Sequence, residues 1–338
     1  MARTPVYFFY IPRFIAVSTT LSTLILVTSL FASTSVWSQQ ILEKRMCAEP
    51  SGRIYSRNDR TWRVGRKICL GEKIEPNGSP VRVLCYLNRQ FITIERSTRF
   101  DKEICDHPAK ESMQCSVVNV LLCPRNFKGP EDEPNSPALI SPYGNSIINN
   151  KPDISWRAVA DADSYTVVLK GNKVDWEVQV KTNTTVIPYP KEQKELLYGN
   201  AYNITIIANR GSKRLSFSSS VVSLLPLNKV QDISAKVQQV KVLGLPPDEE
   251  AALDLDTVFM SEFLLDETIK ELKTRIIAGS QDPTIFRVLG DRYVGALLLE
   301  QAQQSYTKAE QLAKKNGNEV ELKKIELGFK TLQQLRER

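Results

Sequence analysis

The spacing of apolar and polar residues changes along the 338-residue chain. An uncharged apolar run occupies the N-terminus, and short stretches of alternating apolar and polar residues follow it. After Pro226 the apolar residues recur every three or four positions, which is the period of an amphipathic helix. The sequence therefore predicts a multidomain protein with β-structure first and α-helices at the C-terminus.

The N-terminal segment has the order of a secretory signal peptide. Arg3 and Arg13 precede the uncharged run from Phe14 to Trp37, and small residues follow its apolar centre up to the expected cleavage after Ser38. We expect residues 1–38 to be removed on export rather than retained as a membrane anchor, because Ser and Thr interrupt the apolar run. The mature protein is then expected in the periplasm or at the cell surface.

Cysteines occur only in the first third of the mature chain. They are Cys47, Cys69, Cys85, Cys105, Cys115 and Cys123. An even number of cysteines in one exported segment predicts disulfides, whose pairing remains open among roughly 15 possibilities. Zinc is the alternative, but the chain lacks a CxxC motif and His107 is its one histidine. We expect neither a metal nor another cofactor.

Residues 39–128 are predicted to form a small basic β-domain. Short strand-like runs, such as Val81–Cys85, are separated by Gly, Pro and Asn, with a turn at Pro76-Asn77-Gly78. The pattern WxxGxxIxxGExI, which begins at Trp62, resembles the FecR-like β-domain of bacterial envelope proteins. That resemblance implies a small β-roll used for sensing or binding, without catalytic residues.

Positive charge is concentrated in this β-domain. The chain has a net charge of +7, and residues 51–130 contain 15 Lys and Arg against 8 Asp and Glu. Such a segment is suited to an anionic surface such as a cell-wall polymer, a lipid headgroup or a nucleic acid. Of these we expect an envelope polymer, with exposed aromatic residues such as Trp62 as further contacts. The alternative is that the charge only keeps an exported domain soluble. We expect no nucleic-acid partner, since the arginines form no run.

An extended linker is predicted at residues 129–142, which contain four prolines and the acidic run Glu131-Asp132-Glu133. The second β unit is predicted at residues 137–226, so the two predictions overlap at their boundary.

The second β unit contains strand-length runs that are separated by turns, which is typical of a sandwich. The segment Pro152-x-Ile154-x-Trp156 and the tyrosine motif Leu196-x-x-Gly199-x-x-Tyr202 resemble a fibronectin type III or related immunoglobulin-like domain. The resemblance implies a core built on Trp156, Tyr165, Leu196 and Tyr202, in which the phenol of Tyr202 bonds back to the backbone. We expect Trp176 to be a half-buried strand residue rather than an exposed platform for a sugar.

Residues 227–338 carry the most specific motif. The residues in it are Phe286, Leu289, Gly290, Tyr293, Ala302, Tyr306 and Ala309. Their spacing resembles a tetratricopeptide repeat, with Phe in the usual Trp position. The resemblance implies two antiparallel helices that cross at Gly290 and Ala302, with Asn316-Gly317 ending the second helix.

The flanking sequence fits the motif less well. Residues 249–282 are interpreted as a degenerate first repeat, in which Asp256 and Thr268 replace the small Gly and Ala. Residues from Glu319 to Leu335 are interpreted as a capping helix. The carboxylates of Asp254 and Asp256 are interpreted as part of a solvated helix face.

These features together resemble exported modular proteins of cyanobacteria. They predict a non-catalytic envelope adaptor that binds a protein or peptide partner through the short helical array. One alternative is a protein that binds peptidoglycan or polysaccharide through the basic β-domain. Another is that the helical array only supports the rest of the chain or mediates oligomerisation. An enzyme is not expected, because His107 lies in a turn-like segment and no catalytic motif is present.

Overall fold

The computed structural model describes residues 49–56, 62–105 and 135–337, which belong to one compact unit beginning at Ala48. Apart from a short helix at Lys102–Cys105, strands precede residue 225 and helices follow it, so the predicted β-then-α layout is confirmed. Several predicted features lie outside the described residues: the signal peptide, Cys47, Cys115, Cys123, His107 and most of the linker.

The N-terminal β-domain is built from short strands. They are β1 (Pro50–Ser56), β2 (Lys67–Cys69), β3 (Lys73–Ile74), β4 (Val81–Cys85), β5 (Gln90–Ile94) and β6 (Thr98–Arg99), and helix α1 (Lys102–Cys105) follows. One antiparallel sheet has the order β2-β1-β4-β5, and β3 pairs with β6. The core contains the fully buried Ile54, Ile68 and Phe100. A disulfide between Cys85 and Cys105 joins β4 to α1, and it crosslinks a domain too small for a large core.

Two further sheets share a second core. The strands are β7 (Leu139–Ser141), β8 (Ser146–Ile147), β9 (Ile154–Trp156), β10 (Ser164–Gly171), β11 (Val174–Lys181), β12 (Val186–Ile187), β13 (Ala201–Arg210) and β14 (Lys213–Leu224). They form a five-stranded sheet, β11-β10-β13-β14-β8, and a three-stranded sheet, β12-β9-β7. Trp156 of the smaller sheet packs on Tyr165 of the larger one, with ring centres 5.4 Å apart.

This two-sheet unit begins inside the predicted linker, because residues 139–141 form β7. Where the two predictions overlap, residues 139–141 thus form a strand, as expected of the second β unit. Strand β14 is not among the strand-like runs seen in the sequence. It contains several serines and few buried residues, so its apolar signal is weak.

The C-terminal part is helical. Its helices are α2 (Leu227–Lys241), α3 (Pro247–Glu249), a π-helical turn (Glu250–Leu255), α4 (Asp256–Met260), α5 (Leu265–Ile277), α6 (Pro283–Gly295), α7 (Leu299–Asn316) and α8 (Glu319–Arg336). The α3 helix, the π-helical turn and α4 follow one another without a break, and we call them the first array helix. None of the helices in the described part of the chain is long and apolar enough to cross a membrane.

Local sequence sets the ends of these helices. The Asp282 side chain accepts a hydrogen bond of 2.8 Å from the Thr284 amide and caps α6. Gly317 adopts a left-handed conformation with a φ of 63° and ends α7. The Asn318 side chain accepts a hydrogen bond from the Glu321 amide and starts α8. The short turns that result hold α6, α7 and α8 against one another.

Candidate functional site

The residues of the repeat motif meet around the ring of Tyr306. A Cβ atom placed on Gly290 of α6 would lie 2.6 Å from this ring, and one on Gly328 of α8 would lie 2.5 Å from it. Both glycines are therefore needed for the ring to pass between the helices. Ala302 and Ala309, on the same helix as Tyr306, are fully buried. The rest of the motif, Phe286, Leu289 and Tyr293, lies in the same helical core.

The first array helix pairs with α5 through a different device. Asp256 and Thr268 stand one repeat length before Gly290 and Ala302, and the Thr268 hydroxyl donates a hydrogen bond of 2.7 Å to Asp256. Arg292 of α6 donates two further bonds of 2.6 Å to the same carboxylate. A buried polar network thus replaces the contact between small residues at this crossing.

Ion pairs also occupy the side of α6 that faces α8. Arg287 donates to Asp291 on its own helix at 2.7 Å and to Glu321 on α8 at 2.5 Å. The Tyr306 hydroxyl donates to the second oxygen of Asp291 at 2.7 Å. Lys324 of α8 then pairs with Glu49, just before β1, at 3.2 Å. Charged residues on this side of the array are therefore engaged by the protein's own chain.

The N-terminal β-domain docks on the first array helix through the buried carboxylate of Asp254. One oxygen of Asp254 accepts hydrogen bonds from Arg53 at 2.9 Å, Tyr55 at 2.7 Å and Tyr86 at 3.0 Å. Arg53 also pairs with Glu249. These residues come from β1, the segment after β4 and the helix, so one carboxylate joins the two parts of the protein.

The electrostatics of this junction follow from burial. Burial raises the pKa of Asp254, while the neighbouring Arg53 and the hydrogen bonds oppose that rise. The pKa of Glu249 is lowered, because the hydrogen bonds from Lys67 and Arg53 outweigh the effect of its partial burial. The second oxygen of Asp254 has no hydrogen-bond partner among the described residues. The site is closed to a substrate, since Asp254 is fully buried.

The two-sheet unit docks on α5 through the adjacent carboxylates Asp266 and Glu267. Asp266 accepts hydrogen bonds from the Tyr143 amide and the Ser141 hydroxyl, each at 3.2 Å. Glu267 accepts one from the Ile148 amide at 3.3 Å. The two carboxylates therefore hold both ends of the loop between β7 and β8.

The same loop contributes an aromatic side chain to the helical core. Tyr143 packs edge-on against Tyr293 of α6, with ring centres 6.1 Å apart. Gly144 lies against Leu265 at the start of α5. Both β-units are thus attached to the same helical hairpin, which consists of the first array helix and α5.

Two expectations from the sequence were wrong at these junctions. Asp254 and Asp256 do not form a solvated face, since both are buried in the networks described above. Trp62 is not an exposed contact for a polymer, because only 4% of it is accessible and its indole nitrogen donates to the Glu75 carbonyl. The partners of the carboxylates lie far away in the sequence, so local periodicity gave no signal of their burial.

The sequence predicted four core residues for the two-sheet unit. Trp156, Tyr165, Leu196 and Tyr202 are all buried in the shared core. The Tyr202 hydroxyl accepts a hydrogen bond of 2.7 Å from the Leu197 amide, which ties the loop before β13 to the strand. Trp176 is buried and its ring packs on Tyr189.

The cysteines in the described part of the chain are all bridged. Cys85 and Cys105 pair with each other, and Cys69 is also disulfide-bonded. In the residues that the structure describes, no group of His, Cys, Asp and Glu is arranged to hold a metal ion.

No family model and no curated protein matches the chain. One solved structure that it matches is a beta-1,2-glucanase from Parabacteroides distasonis, with a TM-score of 0.23 and 12% identity over 59% of this chain and 34% of that one. The chain thus spans about a third of the length of that protein. Such a low TM-score supports no conclusion about fold or activity.

Proposed function

We propose that the protein is an exported, non-catalytic adaptor of the cell envelope. Its C-terminal helices act as tetratricopeptide-type hairpins that hold the two β-units as one rigid body. The observation that carries this proposal is the attachment of both β-units to one hairpin by buried carboxylates, Asp254 and Asp266. Buried hydrogen-bonded junctions of this kind favour a fixed geometry over independent domain motion.

We also propose the fold types of the helices and of the two-sheet unit, and the export of the protein. The passage of Tyr306 between Gly290 and Gly328 supports tetratricopeptide-type packing of α6, α7 and α8. The bond between Tyr202 and the Leu197 amide supports an immunoglobulin-like sandwich with a tyrosine corner. The bridge between Cys85 and Cys105 supports export, because disulfides persist in oxidising compartments.

The partner-binding surface is proposed to be the outer face of α8. On the side of α6 that faces α8, Arg287 pairs with Glu321, and Lys324 of α8 pairs with Glu49, so these charged groups already have partners within the chain. Helix α8 is the last of the described helices, and it packs on α6 and α7. Leu327 on its outer face is 62% exposed, beside the ion pair of Glu326 and Lys330. An amphipathic segment of another protein suits such a face.

Photocrosslinking in the producing cell tests this assignment. A benzoylphenylalanine at position 327 is expected to give a discrete protein adduct. The matched control is the same probe at Ile277, which ends α5 and is 84% exposed. Both sites are exposed apolar positions on helices, so random collision labels them equally.

Equal labelling at positions 327 and 277, or the absence of an adduct at 327, contradicts a partner on α8. The rigid-body part of the proposal is tested separately by small-angle scattering. The scattering profile of Arg53→Met is expected to show a larger radius of gyration than that of the unmodified protein, because the β-domain then separates from the helices.

A basic surface favours a second candidate function, the binding of an anionic envelope polymer. Arg99 lies directly opposite Lys73 in the β3–β6 pair, where like charges are unfavourable, and Lys73 in turn pairs with Glu75. Arg96 and Lys102 are exposed nearby in the sequence. Retention on purified peptidoglycan is expected to fall for Arg96→Gln plus Arg99→Gln, and equal retention of the variant excludes this candidate.

A further inference from the structure

The hairpin between β13 and β14 gathers positive charge at one end of the five-stranded sheet. Arg210 and Lys213 lie directly opposite each other, and Arg214 lies opposite Asn209. Lys181 ends β11 at the same end of the sheet, in the row that runs through Ser164. All four cations are exposed. Since like charges across a strand pair are destabilising, this arrangement does not help the fold.

Carboxylates balance only part of this charge. Asp163 accepts hydrogen bonds from the Gly211 amide at 2.6 Å and the Ser164 hydroxyl at 3.0 Å, so it holds the hairpin turn. Asp161 is exposed in the preceding turn. The exposed acids of β11, Asp175 and Glu177, lie on the edge strand farther from the hairpin. The hairpin end of the sheet therefore keeps an excess of positive charge.

Exposed apolar side chains follow these cations along β14. Phe217 and Val221 are more than half exposed, and Leu215 is 38% exposed. Phe217 lies opposite Ile207 and Val221 opposite Asn203, whereas the alternate residues of β13, Ile204 and Ile206, point into the core. Phe217 and Val221 thus lie on the outer face of the sheet, together with Arg214, whose guanidinium lies over the Phe217 ring. Arg210 and Lys213 form the next pair along the hairpin, so they lie at its tip on the alternate face.

We propose that this hairpin docks on the surface of an anionic lipid bilayer. In that arrangement Arg210, Lys213 and Arg214 contact the headgroups, and Phe217 enters the interface between headgroups and acyl chains. Combined cationic and apolar contacts are what peripheral attachment to a bilayer requires.

The chemistry favours lipid over polysaccharide as the occupant. Leu215 and Val221 offer no hydrogen-bonding side-chain group to a sugar, and the hydroxyl of Ser219 between Phe217 and Val221 is already bonded to Thr205 and Asn203. The guanidinium carbon of Arg214 lies 3.9 Å from the centre of the Phe217 ring, so one face of that ring is covered and cannot stack on a sugar. Neither property hinders insertion of the ring edge between lipids.

Co-sedimentation with vesicles tests the charge contribution. The full chain is incubated with vesicles of phosphatidylcholine containing about one-third phosphatidylglycerol, and with pure phosphatidylcholine. Each Lys or Arg near an anionic surface contributes about fivefold to partitioning. Lys213→Gln plus Arg214→Gln is therefore expected to lower partitioning onto the anionic vesicles roughly 30-fold at low salt.

The matched control is Lys191→Gln plus Lys194→Gln. It removes the same charge from exposed positions in the loop before β13, at the end of that strand opposite the hairpin. Because the N-terminal segment is the same in each variant, any membrane affinity of that segment cancels in the comparison. The control is expected to bind nearly as well as the unmodified protein.

Fluorescence tests the apolar contribution. A tryptophan at Phe217→Trp is expected to shift to shorter wavelength on anionic vesicles and to be quenched by lipids with brominated acyl chains. The control Val186→Trp, at an exposed position of β12 in the other sheet, is expected to do neither. Circular dichroism and melting temperature establish that each variant is folded.

Three outcomes would overturn the proposal. The first is equal binding of Lys213→Gln plus Arg214→Gln and the unmodified protein. The second is equal binding to neutral and anionic vesicles. The third is an absence of quenching at position 217 together with charge-dependent binding to dextran sulfate, which assigns the hairpin to an anionic polymer instead. The α8 crosslinking experiment is independent of all three.

Discussion

Arg53, in the first described strand, donates a hydrogen bond of 2.9 Å to the carboxylate of Asp254, which lies 201 residues further along the chain. Both side chains are almost completely buried. The bond attaches the N-terminal β-domain to the first array helix, so two parts of the protein that look independent in the sequence are joined in one body.

Replacement of Arg53 is expected to lower the free energy of unfolding. Arg53→Met leaves Asp254 as a buried carboxylate without its cation, which typically destabilises a protein by about 3–5 kcal/mol. The denaturant midpoint measured by circular dichroism is expected to fall accordingly. Lys73→Met, which breaks the exposed pair with Glu75, is the control and is expected to cost less than about 1 kcal/mol. A similar loss of stability in Arg53→Met and Lys73→Met would contradict a large contribution from the buried pair.

The close contact of Gly290 with Tyr306 predicts that Gly290→Ala lowers the stability of the protein. Helix propensity alone makes Gly290→Ala stabilising by about 1 kcal/mol. The added methyl group meets the Tyr306 ring, however, so we expect a net loss of about 1–3 kcal/mol from overpacking. Thermal unfolding of Gly290→Ala measures the sign directly. A raised melting temperature would mean that the helices do not approach as closely as described.

Glu267 predicts the pH dependence of stability. Burial and the charge of Asp266 raise its pKa from 4.5 to about 7. The folded protein then holds the proton more tightly than the unfolded chain does, so this contribution to stability is fully present below about pH 4.5 and is lost as the pH rises through about 7.

Glu267→Gln removes this titration and keeps an acceptor for the Ile148 amide. Above neutral pH the variant is expected to be more stable than the unmodified protein by up to roughly 3 kcal/mol, with the difference vanishing in acid. Urea midpoints between pH 5 and 8 measure this difference. Glu310→Gln, at an exposed ion pair of α7, serves as the control. A constant difference across the pH range would count against a titrating Glu267.

Removal of the disulfide between Cys85 and Cys105 is expected to lower the stability of the protein. The bridge closes a loop with a sequence separation of 20 residues, for which chain entropy gives about 3 kcal/mol. Cys85→Ala plus Cys105→Ala is expected to lower the guanidinium midpoint under oxidising conditions. Alkylation of these two cysteines in the unreduced protein, seen by mass spectrometry, would contradict the pairing.

Much of the local structure could be predicted from the sequence. The run Val81–Cys85 was expected as a strand and is β4. The spacing from Phe286 to Ala309 corresponds to α6 and α7, and Gly317 ends α7 as expected. These features depend on neighbouring residues, since period, turn residues and caps act within a few positions.

The first array helix shows where such reasoning fails. A solvated face was expected at Asp254 and Asp256, but every residue of 251–260 except Leu253 is buried. Packing from the β-domain, α2 and the other array helices surrounds this helix. The π-helical turn at Glu250–Leu255 also departs from the usual helical period, so a face assigned from that period is displaced.

The sequence by itself determined the order of β-structure and helices and the ends of several helices, because these depend on local stereochemistry. Only the tertiary structure decided which carboxylates are buried, that Trp62 belongs to a core, and that both β-units are attached to one hairpin. The burial of Trp62 depends on how its own β-domain folds. The burial of Asp254 and Asp266 and the shared hairpin depend on partners more than a hundred residues apart, such as Arg53 with Asp254 and Tyr143 with Asp266. Local periodicity carries no record of such partners.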